Sequence, residues 1–367
     1  MVIAMNLFGC ATTRLENVGV GELERALAGA TDAPGVVVGT LRRVGTKTVR
    51  SAGLADVRSN TPVSRSTPFA WFSITKLFTA MAIMRLVEAK RIDLDAPVSR
   101  YLPEVRVARS GREATVRHLL AHGAGLRNPI PVSWVHLTTE APPSLADVVR
   151  QRVGTAPDLA FVPGEKSSYS NLGYLLLGLI VERESGGTFQ EHISKDVLEP
   201  LGCAASAFGG RSERATGYQR RLSFMGLAAR WMLDGRFFDG SAGPYRVLRP
   251  FDVDGAPYGG LSGPVDDLLA LAEMVLADGL GPGGVFLSTA TISTMLTPFV
   301  TSGGKATEIG LGWHLGKIGG EPFAYHLGGG GGYRSELRVY PRLGYAVAVL
   351  ANETSFPTGD WARLVVR

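Results

Sequence analysis

At 367 residues, with 45% hydrophobic and 19% charged side chains, the chain can hold one large domain or two interleaved lobes around an ample core. Its formal charge of +5 comes from singly scattered Lys and Arg, with no basic block of the kind that grips nucleic acid or an anionic membrane. Two cysteines, Cys10 and Cys203, stand far apart outside any CxxC pattern, which argues against a disulfide framework and a zinc cluster, and no apolar run is long enough for a bilayer span.

The opening "MVIAMNLFGCA" has a short apolar run ending in Gly9-Cys10, but no positive n-region, and Phe8 is bulky for a lipoprotein cleavage site. Residues 1–19 are therefore read as an N-terminal extension. A cytoplasmic location is expected, with export or lipid attachment through Cys10 as the alternative. "GELERALAGA" has the pattern of an amphipathic helix. "PGVVVGTLRR" and "KTVRSAGLADV" are β-branched runs separated by turn residues and read as an antiparallel hairpin. "SITKLFTAMAIMRLVEAK" is apolar on most sides, the mark of a buried helix.

From there to about residue 250 the chain reads as helix and loop, with capping signals in "APPSLADVVR" and "SNLGYLLLGLIVERESGG". Strand character returns in "PFAYHLGG", "YRSELRVYP" and "GYAVAVLAN", with Gly344 at the turn between the last two, and "PTGDWARLVVR" reads as a closing helix. The expected fold class is α+β. An antiparallel sheet flanked by helices is built from the N- and C-terminal parts (residues 20–80 plus 255–367), and a mainly helical lobe (residues 81–254) is inserted within it. A crevice between two such lobes suits a small molecule.

Three elements could carry chemistry. Ser73 and Lys76, three apart at a helix start, share a face, and an amine buried among apolar neighbours should lose its proton readily. A second Ser-x-x-Lys, Ser302 to Lys305, falls in a Gly-rich stretch without helical pattern, and the pattern alone does not separate a catalytic pair from a solvated helix start. Tyr169 and Asn171 lie in "SSYSNLGYLLLG" on alternate positions, so a phenol and an amide could reach one pocket; Asn171 as a helix N-cap and Tyr169 as a core aromatic is the competing reading. In "YHLGGGGGYRSEL" five glycines, Gly328 and Gly329 among them, leave backbone N–H groups unshielded and can lend an oxyanion-hole donor, which makes His326 the site candidate; a plain turn residue is the competing reading. His314, in "GLGWHLG", lacks that run and reads as a structural or pocket-wall residue. "RLSFMGLAARWMLDGRFFDGSAGPYRVLRPF" could wall an acyl pocket, although Phe, Trp and Met at helical spacing also describe a core.

In this order, Ser-x-x-Lys, Tyr-x-Asn and His-x-Gly resemble the serine β-lactamase and penicillin-binding-protein superfamily. The chain is most similar to its class C β-lactamase-like branch of family VIII-type carboxylesterases, D-aminopeptidases and related amidases. Segments such as "RIDLDAPVSRYLPE", "ATVRHLLAHGAGL", "YGGLSGPVDDLLALAEMVL" and "RLGYAVAVLAN" extend the likeness over about residues 20–352.

The resemblance implies a β-lactamase/transpeptidase-like fold and an acyl-enzyme on Ser73. Lys76 and Tyr169 would share the proton work, Tyr169 as base for attack and acid for the leaving group. Asn171 would bond Lys76 or the substrate, and the N–H groups of Ser73 and Gly329 would form the oxyanion hole. It also implies no metal and no organic cofactor. Family members that recognise penicillin carry a lysine where this chain has His326, a departure that favours small neutral carboxylic esters, though Arg334 could lend a charge nearby. The expectation is a serine carboxylesterase with a small-molecule ester as its partner and no nucleic acid or membrane span. A D-amino-acid peptidase or amidase, or a weak β-lactamase, is the alternative within the fold, and a non-catalytic binding homologue the alternative outside it. A Gly-x-Ser-x-Gly elbow is missing, which disfavours an α/β-hydrolase.

Overall fold

The valine run at residues 36–38 decides how the sheet is covered. The computed structural model describes residues 33–42, 45–129, 133–209, 214–222 and 234–364. The N-terminal extension with Cys10, the helix read in residues 21–30, and residues 223–233 of the Phe/Trp/Met-rich stretch lie outside them. Strand β1 (Gly35–Arg42) pairs antiparallel with β2 (Thr46–Asp56), and β2 pairs with the two-residue β3 (Thr61–Pro62). From the C-terminal part come β4 (His314–Ile318), β5 (Glu321–Gly330), β6 (Tyr333–Tyr340) and β7 (Tyr345–Ala351). Among the described residues they form a seven-stranded sheet in the order β4-β5-β6-β7-β1-β2-β3, every described pair antiparallel, with β1 set between β2 and β7. The early hairpin and the late strands thus share one sheet, as the sequence implies.

Alternation along β1 sends Val36 and Val38 to one face and Val37 and Leu41 to the other, and both faces are buried. Val36 and Val38 join Val347, Val349, Phe356 and Trp361 beside the C-terminal helix (Thr358–Leu364). Val37 and Leu41 join the main core with the helix Val265–Leu276. Gly344 closes the β6–β7 hairpin at φ +61°, a left-handed conformation that costs a non-glycine residue roughly 1–2 kcal/mol.

Helix α1 (Thr75–Glu88) contains neither Gly nor Pro and buries residues on every side, Lys76 included. Each aliphatic side chain sealed there stabilises the fold by roughly 1.5–3 kcal/mol. α1 packs on α2 (Asn171–Ser185) and on the short helix Ala256–Gly259. The section between β3 and β4 is less purely helical than its sequence suggests. Tyr218–Arg220, Phe238–Ala242 and Tyr245–Leu248 form a three-stranded sheet, and Val135–Leu137 pairs with Phe251–Val253. These strands are only three to five residues long, and several pair with residues remote in sequence, so no period-2 signal develops locally. No helix among the described residues is long and apolar enough to cross a membrane.

Candidate active site

The segment carrying Ser73 is pinned before the helix begins. Phe69–Ala70 pairs with Leu261–Gly263, Trp71 N–H donates to the Leu261 carbonyl (2.9 Å), and the Trp71 indole N–H donates to the Gly263 carbonyl (2.9 Å). Ser73 itself lies in the 3-10 turn Phe72–Ile74 that precedes α1, one turn earlier than the helix pattern places it. Phe72 holds φ +47°, a conformation bulky residues rarely adopt. Its ring is held against Gly330, Phe251 and Tyr333.

Lys76 is completely buried, and its Nζ lies 3.1 Å from Ser73 Oγ and 2.9 Å from the Tyr258 carbonyl oxygen. The rings of Tyr169, Tyr174 and Tyr258 surround the amine at 4.9, 5.5 and 5.4 Å. Loss of hydration holds this lysine well below its ordinary pKa. From the opposite side the Tyr169 phenol donates to Ser73 Oγ at 2.8 Å. Burial raises the Tyr169 pKa and the bond to Ser73 offsets only part of that, so the phenol keeps its proton at neutral pH. One hydroxyl therefore sits between a reluctant cation and a reluctant anion, an arrangement able to take up and return a single proton.

The third motif contributes an open strand edge. In the β5–β6 hairpin, Gly330 pairs with Tyr333 across a two-residue turn, so that pair exchanges its hydrogen bonds. By alternation the Gly328–Ser335 and His326–Leu337 pairs do the same, while the N–H groups of Leu327 and Gly329 point to the other edge. There β4 covers β5 only as far as Tyr325. The Gly329 N–H is thus left facing the side from which the Ser73 turn approaches, and that turn packs on β5. Gly328 makes this approach possible. A Cβ there would lie 1.9 Å from the Trp71 carbonyl oxygen, which already accepts from Ser335 Oγ at 2.8 Å.

His326 is 1% exposed, and its Nδ1 lies 2.8 Å from the Leu327 carbonyl oxygen. That contact makes Nδ1 the protonated nitrogen and leaves Nε2, buried without a hydrogen-bond partner, as an acceptor. Burial above all holds the ring well below its ordinary pKa, so it is neutral. Asn171 begins α2 rather than capping it, since Ser170 is the N-cap. Its backbone N–H donates to Asn128 Oδ1 (2.9 Å), and its own Oδ1 is buried without a partner.

The second Ser-x-x-Lys, Ser302 to Lys305, is an exposed turn closed by the Val300–Ala306 bridge. His314 belongs to the cluster, with ring centroids 5.1 Å from His326 and 6.0 Å from Tyr169, and burial then Lys76 push its pKa down to about 4. Two contributors have no signal in the motifs. The Tyr258 carbonyl is backbone and leaves no residue-type trace. His122, whose ring lies 4.6 Å from that of Tyr169, belongs to a helix end 47 positions earlier. Although imidazoles gather here, no group of His, Cys, Asp and Glu among the described residues is arranged to hold a metal ion.

A family model described as Beta-lactamase matches residues 20–365. Penicillin-binding protein 4 of Amycolatopsis lactamdurans is 28% identical over 325 residues, covering 86% of this chain and 81% of that protein. D-amino acid amidase from Ochrobactrum anthropi SV3 superposes with a TM-score of 0.76 at 21% identity, covering 96% of this chain and 98% of the amidase. EstCE1, described as a hydrolase with promiscuous acyltransferase activity, gives 0.74 at 22% identity, covering 97% and 98%. At such identities the last two share the fold alone.

Proposed function

The chain belongs to the beta-lactamase family of serine hydrolases, and from that premise we propose that it cleaves small neutral carboxylic esters through an acyl-enzyme on Ser73. The observation that carries the reading is the placement of Ser73 Oγ, 3.1 Å from a fully buried lysine amine and 2.8 Å from a buried phenol. A neutral Lys76 takes the Ser73 proton as Oγ bonds to the ester carbonyl carbon. The resulting oxyanion accepts from the N–H groups of Ser73 and Gly329. On collapse the carbon–oxygen bond to the alcohol breaks, Tyr169 gives its proton to the departing oxygen, and the Lys76 ammonium restores the phenol. Water then repeats the exchange and returns Ser73 with its proton.

Burial raises the phenol's pKa and lowers the amine's, which favours Lys76 over Tyr169 as the base for attack. The neutral His326 supports the neutral-ester class. So does Leu327, 46% exposed beside the open edge, because neither side chain can pair with a substrate carboxylate. Arg334 favours a second reading. A Cβ on Gly329 would lie 2.3 Å from its Nη1, so a cation stands against the outer face of the glycine edge and could hold a carboxylate of a β-lactam or peptide.

The test uses the unmutated protein and Ser73→Ala with p-nitrophenyl esters of graded chain length, a D-alanyl anilide and a chromogenic cephalosporin. Short-chain ester release that depends on Ser73 is expected. Fastest turnover of the cephalosporin overturns the ester assignment, and absence of any Ser73-dependent release overturns the hydrolase reading of these residues.

A further inference from the structure

His122 follows the short helix Val116–Leu120, whose C-cap is Ala121, and adopts φ +55°. At a helix C-terminus this left-handed position ordinarily goes to Gly or Asn. Gly123 is the next residue, so glycine is available nearby, yet an imidazole takes the position. Its contacts explain why. The His122 carbonyl accepts from the Ser168 N–H at 2.9 Å, and its ring Nδ1 accepts from the Ser170 N–H at 3.2 Å. These two bonds straddle Tyr169 on the extended stretch that leads into α2. The ring itself lies against Tyr169 (4.6 Å between centroids) and Tyr174 (5.2 Å), and it is only 4% exposed. Residue 169 is therefore gripped through its backbone on both sides and through its ring, and all three contacts come from one side chain and its carbonyl.

Accepting a backbone N–H at Nδ1 places the ring proton on Nε2, and burial above all keeps the imidazole neutral. A protonated or absent ring would release Ser170 and, with it, the phenol. We infer that His122 is a positioning residue that sets the Tyr169 oxygen against Ser73 through the Nδ1 bond to Ser170. Its ring meets Tyr169 and Tyr174 and, farther off, His314 (6.4 Å between centroids), and its one side-chain hydrogen bond goes to the Ser170 N–H, so its effect is expected on proton transfer more than on substrate binding. This rests on the reading above, in which Tyr169 exchanges a proton with the reacting oxygen.

Three substitutions separate the ring's bond from the backbone conformation. His122→Gly adopts φ +55° without steric cost but has no acceptor. His122→Asn tolerates the left-handed conformation and places its Oδ1 where Nδ1 stood. His122→Gln puts its amide at the ε position and leaves the δ position without an acceptor; it serves as a second loss variant if the glycine variant melts early.

With p-nitrophenyl acetate, kcat is expected to fall about 10²-fold in the glycine and glutamine variants with KM unchanged, the effect of a displaced reacting group. The asparagine variant should stay close to the unmutated rate. In a Tyr169→Phe background, His122→Gly should change nothing further, since the group it positions is already gone. Full activity of His122→Gly alongside a strong Tyr169→Phe defect overturns the positioning role while leaving the hydrolase reading intact. Multiplying effects of the two substitutions overturn it as well. No loss in Tyr169→Phe itself overturns both the role of Tyr169 and the inference built on it.

Discussion

The chain contains the pattern Ser-x-x-Lys twice, and the two copies sit in opposite surroundings. At Ser73 and Lys76 the amine is stripped of water, enclosed by three tyrosine rings and 3.1 Å from the hydroxyl. At Ser302 and Lys305 both residues are exposed in a Gly-Gly turn, where the ammonium keeps its hydration. The motif supplies the atoms, whereas burial supplies the chemistry. A hydrated lysine cannot take a serine's proton near neutral pH, and a buried one can.

The strongest way to break this comparison is to delete each serine. Ser73→Ala should lower ester turnover by about 10⁴-fold or more, as removal of a nucleophile does elsewhere. Ser302→Ala should leave kcat/KM unchanged, and a loss there would mean the exposed turn has a part in the reaction. Next come the lysines. Lys76→Met should cost about 10²–10⁴ in kcat while raising the melting temperature, because a methionine fills the space without a buried amine to desolvate. Lys305→Met should alter neither. A Lys76→Met protein that melts earlier would show that the amine contributes to stability and is not held against a desolvation cost.

The glycines of the two regions give a smaller, structural contrast. Gly328→Ala forces a methyl to 1.9 Å from the Trp71 carbonyl and should destabilise the fold by about 1–3 kcal/mol, with activity lost as the Ser73 turn is pushed from the strand edge. A Cβ on Gly303 meets nothing closer than Thr301 Oγ1 at 4.0 Å, and Gly303→Ala should stay within about 0.5 kcal/mol, both read by denaturant titration.

Much of this was legible in the sequence. Ser73, Lys76, Tyr169 and His326 could be singled out because each motif is a short run of chemically distinctive residues whose partners lie a fixed few positions away. The β1–β2 hairpin and the strands around Gly344 were legible because β-branched runs between turn residues encode pairing locally. What escaped notice is encoded across distance or in backbone. The Tyr258 carbonyl that receives Lys76 has no residue-type signature, the left-handed Phe72 is invisible to pattern, and His122 acts on a segment 48 residues later. The open edge of β5 depends on where β4 stops, which is a property of register and not of composition.

Acidity bears on the buried region alone. His122 and His326 are neutral in the fold, held well below the ordinary value of 6.5 mainly by burial, so the unfolded chain binds more protons below that pH. Their share of the stability is complete above about pH 7 and erodes as the pH falls through 6.5, by up to about 1.4 kcal/mol per pH unit for each ring. A melting temperature that stays flat from pH 7 to pH 5 in the unmutated protein would contradict neutral imidazoles at the site.

The claim that burial has made Ser73 the one activated hydroxyl is tested most directly by covalent capture. The protein is treated with a fluorophosphonate and its adduct located by peptide mass mapping, with Lys76→Met and Ser73→Ala treated in parallel. The account predicts a single adduct on Ser73, formed far more slowly in Lys76→Met and absent from Ser73→Ala. An adduct on Ser302 or any other residue, or equal labelling of Lys76→Met, would contradict it.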